Sequence, residues 1–257
     1  MAWPFSSSVP ASIYHSSATS HTLSHLIRQC PSVQRGFQPY FLYFNGHLQT
    51  LASVLQSSTP NPAIYYDRYV LRLDDGGSLS LDFVTGPFDQ SDNSLLPPRT
   101  RLRDTPSSKD DAPLLVILHG LTGGSHEGYI RSTIEQLCTN HKQWWVVVIN
   151  ARGCAKSQLT TPKLFRANPI DDIHAAMQHL HRMFPNRPFY MSGYSLGANA
   201  LVCYLAEYGE ASKVRAAVSV ANPWDLYKVN ALLMENWFLK QVYARTMGSS
   251  LRNLFLR

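Results

Sequence analysis

A chain of 257 residues, 44% of them apolar and only 16% charged, is too rich in core-forming side chains to stay disordered and long enough to bury one large core. Its net charge of +6 is spread over 23 basic residues with no block of like charge, which argues against a nucleic-acid partner. The four cysteines, Cys30, Cys138, Cys154 and Cys203, show no Cys-x-x-Cys spacing and no clustered histidines, and so exclude a zinc site and read as reduced, mostly buried thiols of an intracellular protein.

Residues 1–35 are polar and hydroxyl-rich, and they read as a loosely held leader without the apolar stretch of a secretory signal. Five aromatics lie between Phe37 and Phe44, read as a segment clamped over a core; His47 and Gln49 follow with no chemistry assigned to them. Ile64 to Leu73 and Ser78 to Val84 are strand-like, and Asp74-Asp75-Gly76-Gly77 between them is a hairpin signal. Gly86 to Ala112 is polar and proline-containing, a surface insertion.

From Pro113 onward strands and helices are predicted in alternation. Leu114 to Leu118, Trp144 to Ile149 and Val214 to Val220 are apolar runs of the kind found in parallel strands buried on both faces. Helices are predicted over Tyr129 to Cys138 and from Asn168-Pro169 to Met183, the second with Asn168 as its cap and Asp171 and Asp172 on its positive end. Repeated βα units predict a parallel sheet with right-handed crossovers.

Phe189 to Ser192 is strand-like and Ala198 to Tyr208 helix-like, and Gly193-Tyr194-Ser195-Leu196-Gly197 joins them. A G-x-S-x-G turn at this junction lifts the serine oxygen clear of a sharp, usually strained bend, with glycines where strand and helix approach too closely for side chains. A serine hydroxyl still needs a base and donors for the oxyanion it creates. Donors are expected from the backbone amides of Leu121 and Leu196, with Thr122 as the alternative to Leu121. The first lies in the loop His119-Gly120-Leu121-Thr122-Gly123-Gly124, which has neither a phosphate-binding glycine spacing nor a following lysine. His119, at the end of its strand, reads as holding this loop and not as the base.

The segments His47-Leu48-Gln49-Thr50, Leu118 to Gly124, Asn150-Ala151-Arg152-Gly153-Cys154 and Gly193 to Asn199 together resemble the AB hydrolase 4 family of the α/β-hydrolase superfamily. Its members include fungal medium-chain fatty acid ethyl ester synthase/esterases. The resemblance implies an α/β-hydrolase fold: a mostly parallel sheet with flanking helices, an incomplete core over 36–223 interrupted by the insertion 86–112, and the start of a helical lid over 224–257. It also implies a serine esterase or alcohol O-acyltransferase of lipid metabolism. Ser195 would carry a medium- or short-chain acyl group taken from an ester or thioester and passed to water or an alcohol, without cofactor or metal. Basic residues after Asp225 (Lys228, Lys240, Arg245, Arg252 and Arg257) read as a solvated helix face, with a peripheral contact with a lipid surface as the alternative, and the compartment expected is cytoplasmic or at such a surface.

One departure from the family pattern stands out. No histidine follows Ser195, and the only later aspartate is Asp225, too early for the family's acid. An upstream base would have to come from His119, His126, His174, His179 or His181. The expectation is therefore a chain truncated inside its lid and inactive by itself, with a catalytically silent module that binds an acyl ligand or a partner as the alternative.

Overall fold

The computed structural model describes residues 12–14, 20–34, 43–56, 62–89, 95–104, 106–140 and 143–256. The chain divides into two units, Met1–Pro60 and Asn61–Arg257. In the first, helices α1 (Ser20–Arg28) and α2 (Pro31–Gln34) form inside the stretch read as leader, and α3 spans Gly46–Gln56. Leu23, Leu26 and Ile27 have the i, i+3, i+4 spacing of a helix face, a pattern too short to stand out among the surrounding serines. Asn45 caps α3 by accepting from the Leu48 amide at 2.9 Å. Most of the aromatic run, residues 37–41, lies outside the described residues.

The second unit is built on seven strands: β1 (Tyr65–Arg72), β2 (Ser78–Thr85), β3 (Thr100–Leu102), β4 (Leu114–Leu118), β5 (Trp145–Asn150), β6 (Phe189–Tyr194) and β7 (Val214–Val220). They form one sheet in the order β3-β1-β2-β5-β4-β6-β7. The β1–β2 hairpin turns at Gly76, whose φ of 78° suits a residue without Cβ, and β2 then pairs antiparallel with β5. From β5 to β7 every pairing is parallel, which gives the mostly parallel sheet of an α/β fold. The polar insertion contributes β3, parallel to β1, with Arg101 paired to Asp67.

Apolar runs on β4 and β5 supply both faces of the sheet in alternation. Val116, Leu118, Val147 and Ile149 pack with α5 (Ile170–Met183) and α6 (Leu196–Tyr208), whereas Ile117, Val146 and Val148 pack with Ile130 and Ile134 of α4 (Gly128–Asn140). Helix α5 begins differently from the expectation. Pro169 occupies the cap position and no side chain caps, so the start is held instead by ion pairs of Asp171 with Arg166 and of Asp172 with Arg152.

Strand β7 also departs from its reading as a buried strand. It is an edge strand exposed along most of its length, with Val218 61% exposed, and among the described residues β6 alone pairs with it. Beyond it come α7 (Leu226–Glu235), a π-helical stretch Leu239–Ala244 and α8 (Arg245–Phe255), with Tyr227 exposed on α7 and Trp224 and Trp237 exposed just before and just after it. Among the described residues no helix is long and apolar enough to cross a membrane. All four cysteines are free, but only Cys154 is fully buried.

Candidate active site

The turn between β6 and α6 places Ser195 at φ 52° and ψ −119°, a conformation that costs a non-glycine residue on the order of 1–3 kcal/mol. Its amide donates to the Val220 carbonyl of β7 at 2.9 Å, and its carbonyl accepts from Ala198 and Asn199 as α6 begins. The flanking glycines are required by close approach. A Cβ on Gly193 would lie 2.5 Å from the Gly197 carbonyl oxygen, and one on Gly197 would lie 2.3 Å from that of His119. Helix α6 is thus pressed against both β6 and the end of β4.

The end of β4 brings the glycine loop to the same place. Gly123 donates back to the Gly120 carbonyl at 3.2 Å, and Thr122 takes φ 55° in the turn between them. A Cβ on Gly120 would lie 3.3 Å from Ser195 Cβ, so this loop runs directly beside the serine. Leu121, Thr122 and Ser195 line one cleft of about 470 Å³, together with Glu127, Tyr129 and, from α8, Met247 and Ser250. Leu196 heads α6, and the cavity behind it is small and apolar, about 40 Å³, lined by Leu118, His119, Phe165, Ile173 and Ala200 among others. Among the described residues no group accepts from the amides of Leu121, Thr122 or Leu196, which leaves all three as open donors.

His119 is spoken for on both ring nitrogens. Nδ1 donates to the Gly120 carbonyl at 2.7 Å, and Nε2 accepts from the Ala151 amide at 3.1 Å. Complete burial brings its pKa down to about 4, so it is a neutral strut between the loops after β4 and β5. The other four candidate bases do not line the cleft either. His126 faces Glu127 at 3.5 Å, His174 stacks on Tyr208, His179 stacks on Tyr69, and His181 Nε2 meets the Ser212 carbonyl. Asp225 caps α7 by accepting from Lys228 and is taken up there.

Two features of the site carry no signal in a linear reading. Arg68 and Asp82, on β1 and β2, form a fully buried bidentate pair at 2.6 and 2.7 Å. Asp82 also accepts from the Ser125 hydroxyl, the Ser125 amide donates to Asn150, its carbonyl accepts from Tyr66, and Arg68 reaches the Ala155 carbonyl. This network pins the loops that follow β4 and β5. The second feature is Tyr129, nine residues along from Gly120, whose hydroxyl oxygen accepts the Gly120 amide at 3.0 Å.

A family model described as the alpha/beta hydrolase fold matches residues 113–247. A monoacylglycerol lipase of Saccharomyces cerevisiae is 33% identical over 231 residues, covering 82% of this chain and 51% of its own length. The medium-chain fatty acid ethyl ester synthase/esterase 2 of the same yeast is 34% identical over 254 residues, with 86% and 56% covered. The chain spans about half the length of the curated relatives it matches. A solved esterase from Pyrococcus furiosus superimposes with a TM-score of 0.50 at 20% identity, covering 74% of this chain and 62% of that one, a likeness of fold.

Proposed function

This chain belongs to the alpha/beta hydrolase family, and from that premise we propose that it forms the nucleophile half of a serine carboxylic-ester hydrolase or alcohol acyltransferase acting on lipid esters. The single observation that carries the reading is the strained Ser195, held beside open backbone donors by glycines that no other residue can replace. Ser195 Oγ would attack the carbonyl carbon of a medium- or short-chain acyl ester or thioester. The amides of Leu121 and Leu196 would receive the oxyanion, and the acyl group would pass from Ser195 to water or an alcohol. The two yeast relatives, a lipase and an ester synthase/esterase by name, support an acyl ester as the substrate class. Exposed Trp224 and Trp237, near Lys228 and Lys240 in the sequence, fit a peripheral lipid contact in a reducing compartment, as do the free cysteines.

Among the described residues no histidine shares the cleft with Ser195, and Glu127 is the one carboxylate lining it. This favours slow turnover by these 257 residues alone, because an oxyanion hole without its acid–base partners gives only roughly a thousandfold over water. It equally favours the second reading, a silent module that binds an acyl ligand. Fluorophosphonate labelling of the full natural product tests both. Label is expected on Ser195, lost in Ser195→Ala and kept in Ser192→Ala, whose serine is buried in β6. Label persisting in Ser195→Ala would overturn the nucleophile assignment, and an unlabelled wild type would favour the silent module.

A further inference from the structure

Tyr129 stands on the first turn of α4 with its ring packed against Tyr194, the residue just before Ser195, at a centroid distance of 5.1 Å. Its hydroxyl oxygen is committed as an acceptor to the Gly120 amide at 3.0 Å. A phenol that accepts keeps one proton to donate. Among the described residues no acceptor takes that proton, and the ring lines the cleft that holds Ser195. The neighbouring Tyr194 hydroxyl is different, since it is paired with Thr133 at 2.8 Å.

The spacing gives the free proton a target. A methyl group placed on Gly120 would touch Ser195 Cβ at 3.3 Å and the Tyr129 hydroxyl at 3.5 Å. The serine and the phenol therefore both lie beside Gly120, in space that a side chain at this position would fill. Leu121, one of the two expected backbone donors, is the next residue along. An acyl group bonded to Ser195 Oγ would enter the cleft that Leu121, Tyr129 and Ser195 line together.

We propose that Tyr129 is a catalytic residue whose hydroxyl donates the third hydrogen bond to the oxyanion formed on a Ser195-bound acyl group. The inference rests on the serine-hydrolase reading above and adds a side-chain donor to its backbone pair. As the Ser195 Oγ–carbon bond forms, the carbonyl π pair moves onto oxygen. The phenol strengthens its hydrogen bond to that oxygen while keeping its proton. Burial pushes the Tyr129 pKa up to about 12, against a smaller downward pull from the Gly120 amide, so the proton is present throughout the neutral range. The Gly120 amide, in turn, fixes the phenol oxygen at the wall of the cleft.

The test compares two replacements in the full natural product. Tyr129→Phe keeps the ring against Tyr194 and removes only the hydroxyl. It is expected to lower kcat for a medium-chain p-nitrophenyl ester by about tenfold or more, with KM within about twofold, as for loss of an interaction made only in the transition state. A 3,5-difluorotyrosine at position 129 separates donation from simple support of the loop. Its phenolate still accepts the Gly120 amide but has no proton to give, so kcat should fall with rising pH at the lowered phenol pKa, where the wild type stays flat. A folded Tyr129→Phe variant with unchanged kcat would overturn the proposal, as would a difluorotyrosine enzyme with the wild-type pH profile. Should Tyr129→Phe fail to fold, the pH profile alone decides. A wild type that neither hydrolyses the ester nor takes up fluorophosphonate would overturn the underlying reading as well, a result distinct from either of these.

Discussion

His119 ends β4 with both ring nitrogens engaged, and its neutral form is the one the fold requires. Burial holds its pKa near 4, below the ordinary 6.5, and His126, His179 and His181 are shifted down for the same first reason. Between those two values the unfolded chain binds protons that the folded chain refuses, so stability falls as pH drops from 6.5 toward 4. Urea denaturation at pH 7 and pH 5 should show a lower midpoint at pH 5, and equal midpoints would contradict this account. Legibility differed sharply among neighbouring residues. Ser195, Gly193 and Gly197 could be read because a spaced glycine–serine pattern encodes a backbone geometry, and the close approaches at both glycines bear out its steric reason. Tyr129 could not, because its contact with Gly120 depends on the path of the intervening loop and leaves no periodic trace.

Among the elements, the β1–β2 hairpin does more than extend the sheet. It carries Arg68 and Asp82 into complete burial, where they tie together the loops after β4 and β5 through Ser125 and Ala155. Charged residues in a strand are ordinarily read as solvent-facing, which hid this network in the sequence. Removing one partner strands the other charge in the core, so Asp82→Ala should lose about 3–5 kcal/mol, whereas the apolar pair Arg68→Met with Asp82→Leu should lose less. Equilibrium urea unfolding measures both, and an Asp82→Ala variant as stable as wild type would show that the pair is not structural. Six of the seven strands were legible to within about two residues, since apolar runs bounded by turns leave little choice, whereas β3 inside the polar insertion was not. Neighbour relations were not: Val214 to Val220 has the composition of a covered strand and lies at the sheet edge with Val218 in solvent. Composition states what a strand is able to bury, and the sheet order decides what covers it.

For the molecule as a whole, that uncovered edge predicts association. Among the described residues the β7 backbone pairs on one side only, and the exposed Val218, Trp224 and Trp237 lie on it or follow it in the chain. The purified 257-residue chain is expected to run above monomer mass in light scattering coupled to size exclusion, and a monodisperse monomer at high concentration would contradict this. The parallel half of the sheet has one further property. Each of its four strands is followed by a non-glycine residue of positive φ: Thr122 after β4, Ala155 and Lys156 after β5, Ser195 after β6 and Ala221 after β7. Five of the seven described non-glycine residues of positive φ thus fall along one rim, on the order of 1–3 kcal/mol at each, and the other two, Arg99 and Lys213, precede β3 and β7. A rim that gains free energy by letting go should do so before the layers below it melt. On warming, fluorophosphonate labelling at the proposed nucleophile Ser195 is therefore expected to fade while tryptophan fluorescence still reports an intact sheet, and cooling from that point to restore it.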